Sequence, residues 1–522
     1  MHPEQGPTHL HFGGGVSVSS VHPAILLIVL IAGVVILVCP RRWALVLFLT
    51  LSLLIPADQI LLIGGAHFPM LRLLALFGFA RMIRESFSSK ATLFSGGFTR
   101  IDLCVILYSL FVAINGIWLF KEMGAVVNQV GVLYTVFGVY FLMRSLIRDE
   151  EDIVLAIQTL VGIAVAVAAT MSYEALTGHN PYAILGGADA RFYANLAIRD
   201  GRFRAQGPFG HSILAGTFGA ILVPLFVALW WKGKSNRKWV LAGVAASTII
   251  TLACASSTPI LAYAAGVFAL CLWPLRAWMR AFRWGIVITL IALHIVMKGP
   301  VWSLIEKIDL TGGSSSWHRY MLVDQCIRHF RDWWLMGVKD TSVWGWDMWD
   351  TANQYVGTAD NSGLLPLIFF IAIIVFGFKY IGKARRGAIN EGNRDSALFA
   401  WAMGAGLFAN VVAYLGISYF DQSMVGWYAL LAMISASYMA HRTVARAGMQ
   451  VQLAPVEAIS EFAGALPVGV LEMTSAAQSS ASRIVASAFE KTAQERPEHD
   501  GAQEQNTRNE TTITTHRHFT AL

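Results

Sequence analysis

The run Thr217–Trp231, "TFGAILVPLFVALWW", has no polar face at any helical or strand register. A segment that is apolar all round must be buried in a core or in lipid. Runs of this kind recur along the whole chain. Windows of about 17–25 apolar residues, the length that crosses a bilayer as a helix, fall near 22–39, 43–63, 68–84, 101–120, 125–143, 153–173, 209–231, 239–256, 258–275, 284–298, 357–380, 396–416 and 424–441. Of the 522 residues, 56% are hydrophobic and only 14% are charged. A water-facing globule, which carries about 25% charge, cannot hide that surface. The expected fold is all-α: a polytopic integral membrane protein of 12–13 spans with two larger external segments.

The connecting loops carry the orientation. Arg41 and Arg42; Arg81, Arg84, Lys90 and Arg100; Arg144 and Arg148; Lys232, Lys234, Arg237 and Lys238; Arg276, Arg280 and Arg283; Lys379, Lys383, Arg385 and Arg386; and Arg442 and Arg446 all fall on alternate loops. All seven groups share one side, which the positive-inside rule makes cytoplasmic. The N-terminus is then expected outside and the C-terminus inside. The net charge of +7 is topology signal, so nucleic acid is not an expected partner. No basic region precedes the first apolar run, which is read as a retained span rather than a signal peptide. Four of the five cysteines sit in apolar runs and Cys326 stands alone, so neither a disulfide framework nor a zinc site is indicated.

The transmembrane domain is expected to cover 1–446, and 447–522 reads as a largely disordered cytoplasmic tail. The sequon at Asn509 lies on the cytoplasmic side and is set aside. No internal repeat is visible, against inverted-repeat transporters. The external segments span about 174–208 and 299–356.

The first of these gathers Arg191, Arg199, Arg202 and Arg204 toward the seventh span, with His211 just inside it. Guanidinium groups bind phosphates bidentately and keep their charge. For Arg191 and Arg199 the plainer reading, solvated loop arginines, carries more weight. Arg204 abuts the Gly-Pro-Phe-Gly turn that starts a span, where a polar group can face an internal cavity. His211 is either a base or a helix-start residue.

The second segment opens with Ser314–Ser316, a cap for a helix running to about Leu335. Trp317, Tyr320, Met321, Ile327, Phe330 and Trp334 recur at helical spacing, as in a helix lying on the bilayer. Arg319, Asp324, Arg328, Arg331 and Asp332 are expected on its polar side. Seven of the seventeen tryptophans fall between Trp302 and Trp349. Interfacial anchoring explains them; sugar stacking by Trp317, Trp344 and Trp346 is the functional alternative. Asp324, Asp340, Asp347, Asp350 and Asp360 are candidate bases. No carboxylate pair has the spacing of two-carboxylate glycoside hydrolysis. Phosphate-loop, dinucleotide, zinc-protease and nucleophile-elbow motifs are absent.

The pattern Arg204-x-x-Gly207-x-Phe209-x-His211 leading into a span, followed by a long loop opened by Ser316-x-x-Arg319, resembles the O-antigen ligase and polysaccharide polymerase superfamily. The resemblance runs from about the sixth span to the eleventh. It implies a glycosyltransferase that polymerises or ligates glycans carried on undecaprenyl diphosphate, at the outer face of the bacterial inner membrane, without metal, nucleotide sugar or other cofactor. By the same resemblance, Arg204, Arg202 and Arg319 hold the lipid diphosphate. The implied partners are the lipid-linked donor, a glycan acceptor, membrane lipids and other polysaccharide assembly proteins. Where the ligases carry Ser-Arg, this chain has Ser257-Thr258. Where they carry His-Asn it has Asp360-Asn361, which brings it nearer the exopolysaccharide polymerases and leaves Asp360 or a group elsewhere as the base. A lipid-linked oligosaccharide flippase and a non-catalytic envelope assembly protein are the rival expectations.

Overall fold

The computed structural model describes residues 19–440, apart from 57, 65, 89–92, 187–196, 200, 307–314 and 421. The expected tail, 447–522, and Arg191 lie outside the described residues.

The chain is a helical, multi-pass membrane protein. Eight helices are long and apolar enough to cross a bilayer. In chain order the helices are α1 (Pro23–Val38), α2 (Arg41–Leu54), α3 (Met70–Ser88), α4 (Arg100–Phe120), α5 (Met123–Leu146) and α6 (Glu150–Thr177). Then follow α7 (Ser212–Ala228), α8 (Arg237–Ala253), α9 (Ser257–Cys271) and α10 (Met279–Val296). Between α10 and the last three helices lie α11 (Ser315–Arg328), α12 (Phe330–Trp333) and α13 (Gln354–Ser362). The last three are α14 (Leu364–Asn390), α15 (Arg394–Ala413) and α16 (Ser423–Ala440). Every expected apolar run coincides with one of these helices.

Two boundaries differ from the expectation. The run 43–63 is helical only to Leu54. Pro56 ends it, and Ile60–Ile63 (β1) pairs with Ala66–Pro69 (β2) as an antiparallel hairpin, Ile60 opposite Pro69. The run 357–380 is two helices, broken at Gly363, whose φ of +88° takes the chain out of the helical region. That glycine passes so close to Leu335 O that a Cβ there would stand 2.7 Å from it.

α7 is the central helix. Its all-round apolar character is matched by burial on every side, among α8, α9 and α15. α6 packs on α8, α4 on α5 and α14, and α3 on α1 and α5. Small residues allow the close approaches: a Cβ on Gly219 would meet Ile250 at 2.8 Å. α10 stands apart, its side chains turned outward along its whole length.

The basic loops meet at one end of the bundle. Arg41 lies 2.7 Å from Asp152, Arg81 lies 2.8 Å from Glu85, Arg148 lies 3.1 Å from Glu85, and Lys232 pairs with Glu150. Below them Arg144 and Asp102 form a fully buried pair at 2.9 Å, and the Tyr140 hydroxyl donates to the same carboxylate.

Candidate functional site

The opposite end of α6 begins the site. Glu174, in the last helical turn, is fully buried. Its Oε1 accepts from Gln206 N (3.0 Å) and Asn180 Nδ2 (3.2 Å), and its Oε2 accepts from Gly207 N (2.8 Å). One carboxylate thus replaces the missing backbone partners of the turn 206–208, where Gly207 takes φ +58°. Gln422 Nε2 donates to Pro208 O from the far side (3.0 Å). Arg199 and Arg202 face each other across the short hairpin Ile198–Arg199 (β3) and Arg202–Phe203 (β4).

Arg204 leaves this anchored turn half-buried. Its Nη2 donates to Ser256 Oγ at 2.8 Å, and its buried Nε has no hydrogen-bond partner. Burial, and next the charge of Arg199, push its pKa below the usual arginine value. It still carries its charge at neutral pH, so an anion placed there removes a standing cost.

Ser256 is the N-cap of α9, reached through Ala255 in the left-handed region at φ +48°. A non-glycine residue in that region costs on the order of 1 kcal/mol. The strained step turns the N-terminus of α9 toward the arginines. From the second external segment, Arg319 Nη2 donates to Thr258 Oγ1 at 2.9 Å. Two guanidinium groups from loops about 115 residues apart therefore meet hydroxyls of one helix start. Arg319 and Arg204 thus flank the positive end of a helix dipole, an arrangement suited to anions.

The other expected site residues are distributed as follows. His211 caps α7: its Nδ1 accepts from Ile213 N at 3.1 Å. Burial, then Arg204, drive its pKa down to about 4. At neutral pH it is neutral, with its proton on Nε2 as a donor. Arg202 lies exposed on β4.

Asp360 on α13 is buried and adjoins Cys326, with Oδ1 lacking a hydrogen-bond partner. Burial raises its carboxyl to about 7. Cys326 is seven residues beyond Arg319 on the same face of α11, about 10 Å along the axis at 1.5 Å per residue. Asp350 is nearer in electrical terms. It lies exposed at the rim, raised above the ordinary carboxylate value by partial burial first and by Asp347, with His318 and Arg319 opposing. His318 Nε2 in turn contacts Asp347 O at 2.8 Å.

The expected surface helix 314–335 forms as α11 and α12 with a break at His329. Its aromatic face is outward: Trp317, Ile327, Phe330 and Trp334 are exposed. Arg319 and Asp324 depart from the expected solvated side. Arg319 turns to α9, and Asp324 is buried against Arg328 (2.7 Å) and Trp302 Nε1 (3.1 Å). Among the candidate sugar-stacking residues, Trp344 already stacks on His329 at 4.9 Å, whereas Trp317 and Trp346 leave their rings exposed. Asp340 is occupied by the amide of Ser342 (2.8 Å).

Sequence reasoning passed over Glu174, Ser256 and Ala255. A lone acid at the end of an apolar run, directly before an external segment, is the signal that points to Glu174. Among the described residues, no three His, Cys, Asp or Glu side chains come together as metal ligands. No family model and no curated protein matches the chain.

Proposed function

We propose that the protein is a metal-independent glycosyltransferase of the O-antigen ligase and polysaccharide polymerase kind. On this reading it transfers glycan from undecaprenyl diphosphate at the periplasmic face of the bacterial inner membrane, with the C-terminus in the cytoplasm. The observation that carries the reading is the meeting of Arg204 and Arg319 at the start of α9, Arg204 donating to Ser256 and Arg319 to Thr258.

The chemistry asked of such a site is limited. An acceptor hydroxyl attacks the anomeric carbon of the donor sugar, the bond from that carbon to the diphosphate oxygen breaks, and the hydroxyl proton passes to a base. The departing diphosphate gains negative charge, which Arg204 and Arg319 would stabilise. Permanently charged guanidinium groups supply the positive charge for that step. Asp350 is the better candidate for the base, because it feels Arg319 directly, and its raised pKa brings it nearer the proton it must accept. Trp346 and Trp317 offer exposed ring faces to the glycan.

The test is a deletion strain complemented with wild type, Arg204→Ala, Arg319→Ala or Asp350→Asn, with membrane levels checked. Loss of polymer together with accumulation of single lipid-linked repeat units on the outer face is the expected result. Accumulation on the cytoplasmic face would make the chain a flippase instead. Normal polymer from all three variants leaves only a non-catalytic assembly role.

A further inference from the structure

At the other end of the bundle lies a cavity of about 410 Å³ between the start of α4, the second half of α14 and the end of α16. Thr99, Arg100, Lys379, Tyr380, Lys383 and Tyr438 line it. Arg100 and Lys379 lie over the same ring, Phe376, at 5.7 and 5.9 Å from its centroid. Lys383 lies 5.2 Å from the Tyr438 centroid, and Tyr438 stacks on Tyr380 at 4.3 Å. None of the three cations has a carboxylate within ion-pair distance among the described residues.

The nearest acid cannot serve them. Asp102 is turned inward, where it accepts from Thr99 N (2.6 Å), Arg144 Nε (2.9 Å) and the Tyr140 hydroxyl. Arg41, Arg42, Arg81, Arg148 and Lys232 at this same end are all paired with carboxylates. Three like charges left to converge on one hollow repel one another unless an anion sits between them. Aromatic faces hold the cations in place without neutralising them. The hydroxyls of Tyr380 and Tyr438 add donors of the kind a phosphate accepts from.

We propose that this hollow is a binding site for a phosphate-bearing ligand, separate from the external arginine site. The shared chemistry is a phosphate group. Its source is either the headgroup of an anionic lipid in the adjoining leaflet or a soluble phosphate compound.

The full-length protein in nanodiscs decides the matter, with the triple variant Arg100→Gln/Lys379→Gln/Lys383→Gln beside wild type. Native mass spectrometry reads retained phosphatidylglycerol against phosphatidylcholine, and thermal unfolding with inorganic pyrophosphate reads a soluble anion. At roughly fivefold per basic side chain near an anionic surface, the triple variant should retain phosphatidylglycerol on the order of a hundredfold more weakly. Unchanged lipid retention, with a pyrophosphate-induced stabilisation lost in the triple variant, assigns the site to a soluble phosphate. Equal behaviour of the two proteins in both measurements overturns the proposal. Should the triple variant fail to fold, the exposed single change Lys383→Gln carries the test, and an unchanged affinity for both probes is then the overturning result. Polymer output is not the readout, so the result stands apart from the fate of the glycosyltransferase reading.

Discussion

The two ends of the bundle use arginine in opposite ways. At the end of the basic loops, Arg144 is sealed against Asp102, and Arg41, Arg42, Arg81 and Arg148 each reach a carboxylate. At the opposite end, Arg204 Nη2 donates to Ser256 Oγ and Arg319 Nη2 donates to Thr258 Oγ1. A carboxylate cancels a guanidinium charge, whereas a hydroxyl merely aims it. The first arrangement spends the charge on holding helices together. The second keeps it for a ligand, at a cost in desolvation that the fold must carry. Stability and activity should therefore respond in opposite order when the two sets are mutated.

The largest stability effect is expected at Arg144. Truncating one partner of a fully buried pair costs about 3–5 kcal/mol, because the other charge is left uncompensated. Arg144→Ala should therefore remove most folded protein from the membrane, as read by fluorescence-detected size exclusion. The double variant Arg144→Met/Asp102→Asn should restore much of it. A single variant as stable as wild type would break the comparison at its structural end.

Glu174→Ala should rank second. It strips partners from Gln206 N, Gly207 N and Asn180 Nδ2, and each buried donor left unmade costs about 1–3 kcal/mol before water enters. Glu174→Gln keeps an acceptor oxygen and should lose roughly half as much. Because the turn it anchors carries Arg204, both variants should also lose polymer in proportion to the turn's disorder, measurable as amide exchange over 203–209.

The pH response gives a third, smaller effect. The folded pKa of His211 is about 4, below its ordinary value near 6.5. Its neutral form is the one the fold accepts, so its contribution is present above about pH 6.5 and is lost as pH falls toward 4. The loss is at most on the order of 3–4 kcal/mol, from 1.36 kcal/mol per unit. Melting curves should show wild type losing more stability than His211→Asn between pH 7 and 4.5. Asp360 has the opposite sign. Its carboxyl is raised to about 7, so its contribution is present at low pH and lost as pH rises through 7. Asp360→Asn should consequently stabilise the protein most at pH 8, less at pH 5, and change little below about pH 4.

Which parts of this were legible in the residues follows from the range of the interactions involved. The apolar runs report a solvent, lipid, and so mark every helix without knowledge of its neighbours. The break at Gly363 follows the polar step Asp360-Asn361-Ser362, which was absorbed into the long apolar run after it, and only contact with Leu335 O shows why a glycine is required. The arginines were visible as residue types near a span. Their convergence was not, because it depends on Ala255 taking a left-handed conformation that its side chain does not favour. Asp360 was singled out by its place beside Asn361, but proximity along the chain does not report that it faces Cys326. Glu174 was overlooked because a single acid in an apolar run looks like a helix-end residue until the three donors around it are seen.

The smallest stability effect, and the sharpest form of the comparison, is expected at Arg204. Arg204→Ala removes one charged hydrogen bond to Ser256, which is worth about 1.5–3 kcal/mol in favourable surroundings. It also relieves the burial of a guanidinium whose charge is opposed by Arg199. The two contributions have opposite sign, so the net change should stay within about 1 kcal/mol. Polymer should nevertheless fall sharply, because Arg204 is the arginine of that loop bonded at the start of α9. Arg204→Lys refines the point. A lysine keeps the charge but has neither the planar fork nor the reach to bond Ser256 and a diphosphate together, so polymer should fall well below wild type while the protein stays folded. If Arg204→Ala instead unfolds the protein as Arg144→Ala does, the external arginines are structural after all, and the contrast between paired and aimed charge fails where it matters most.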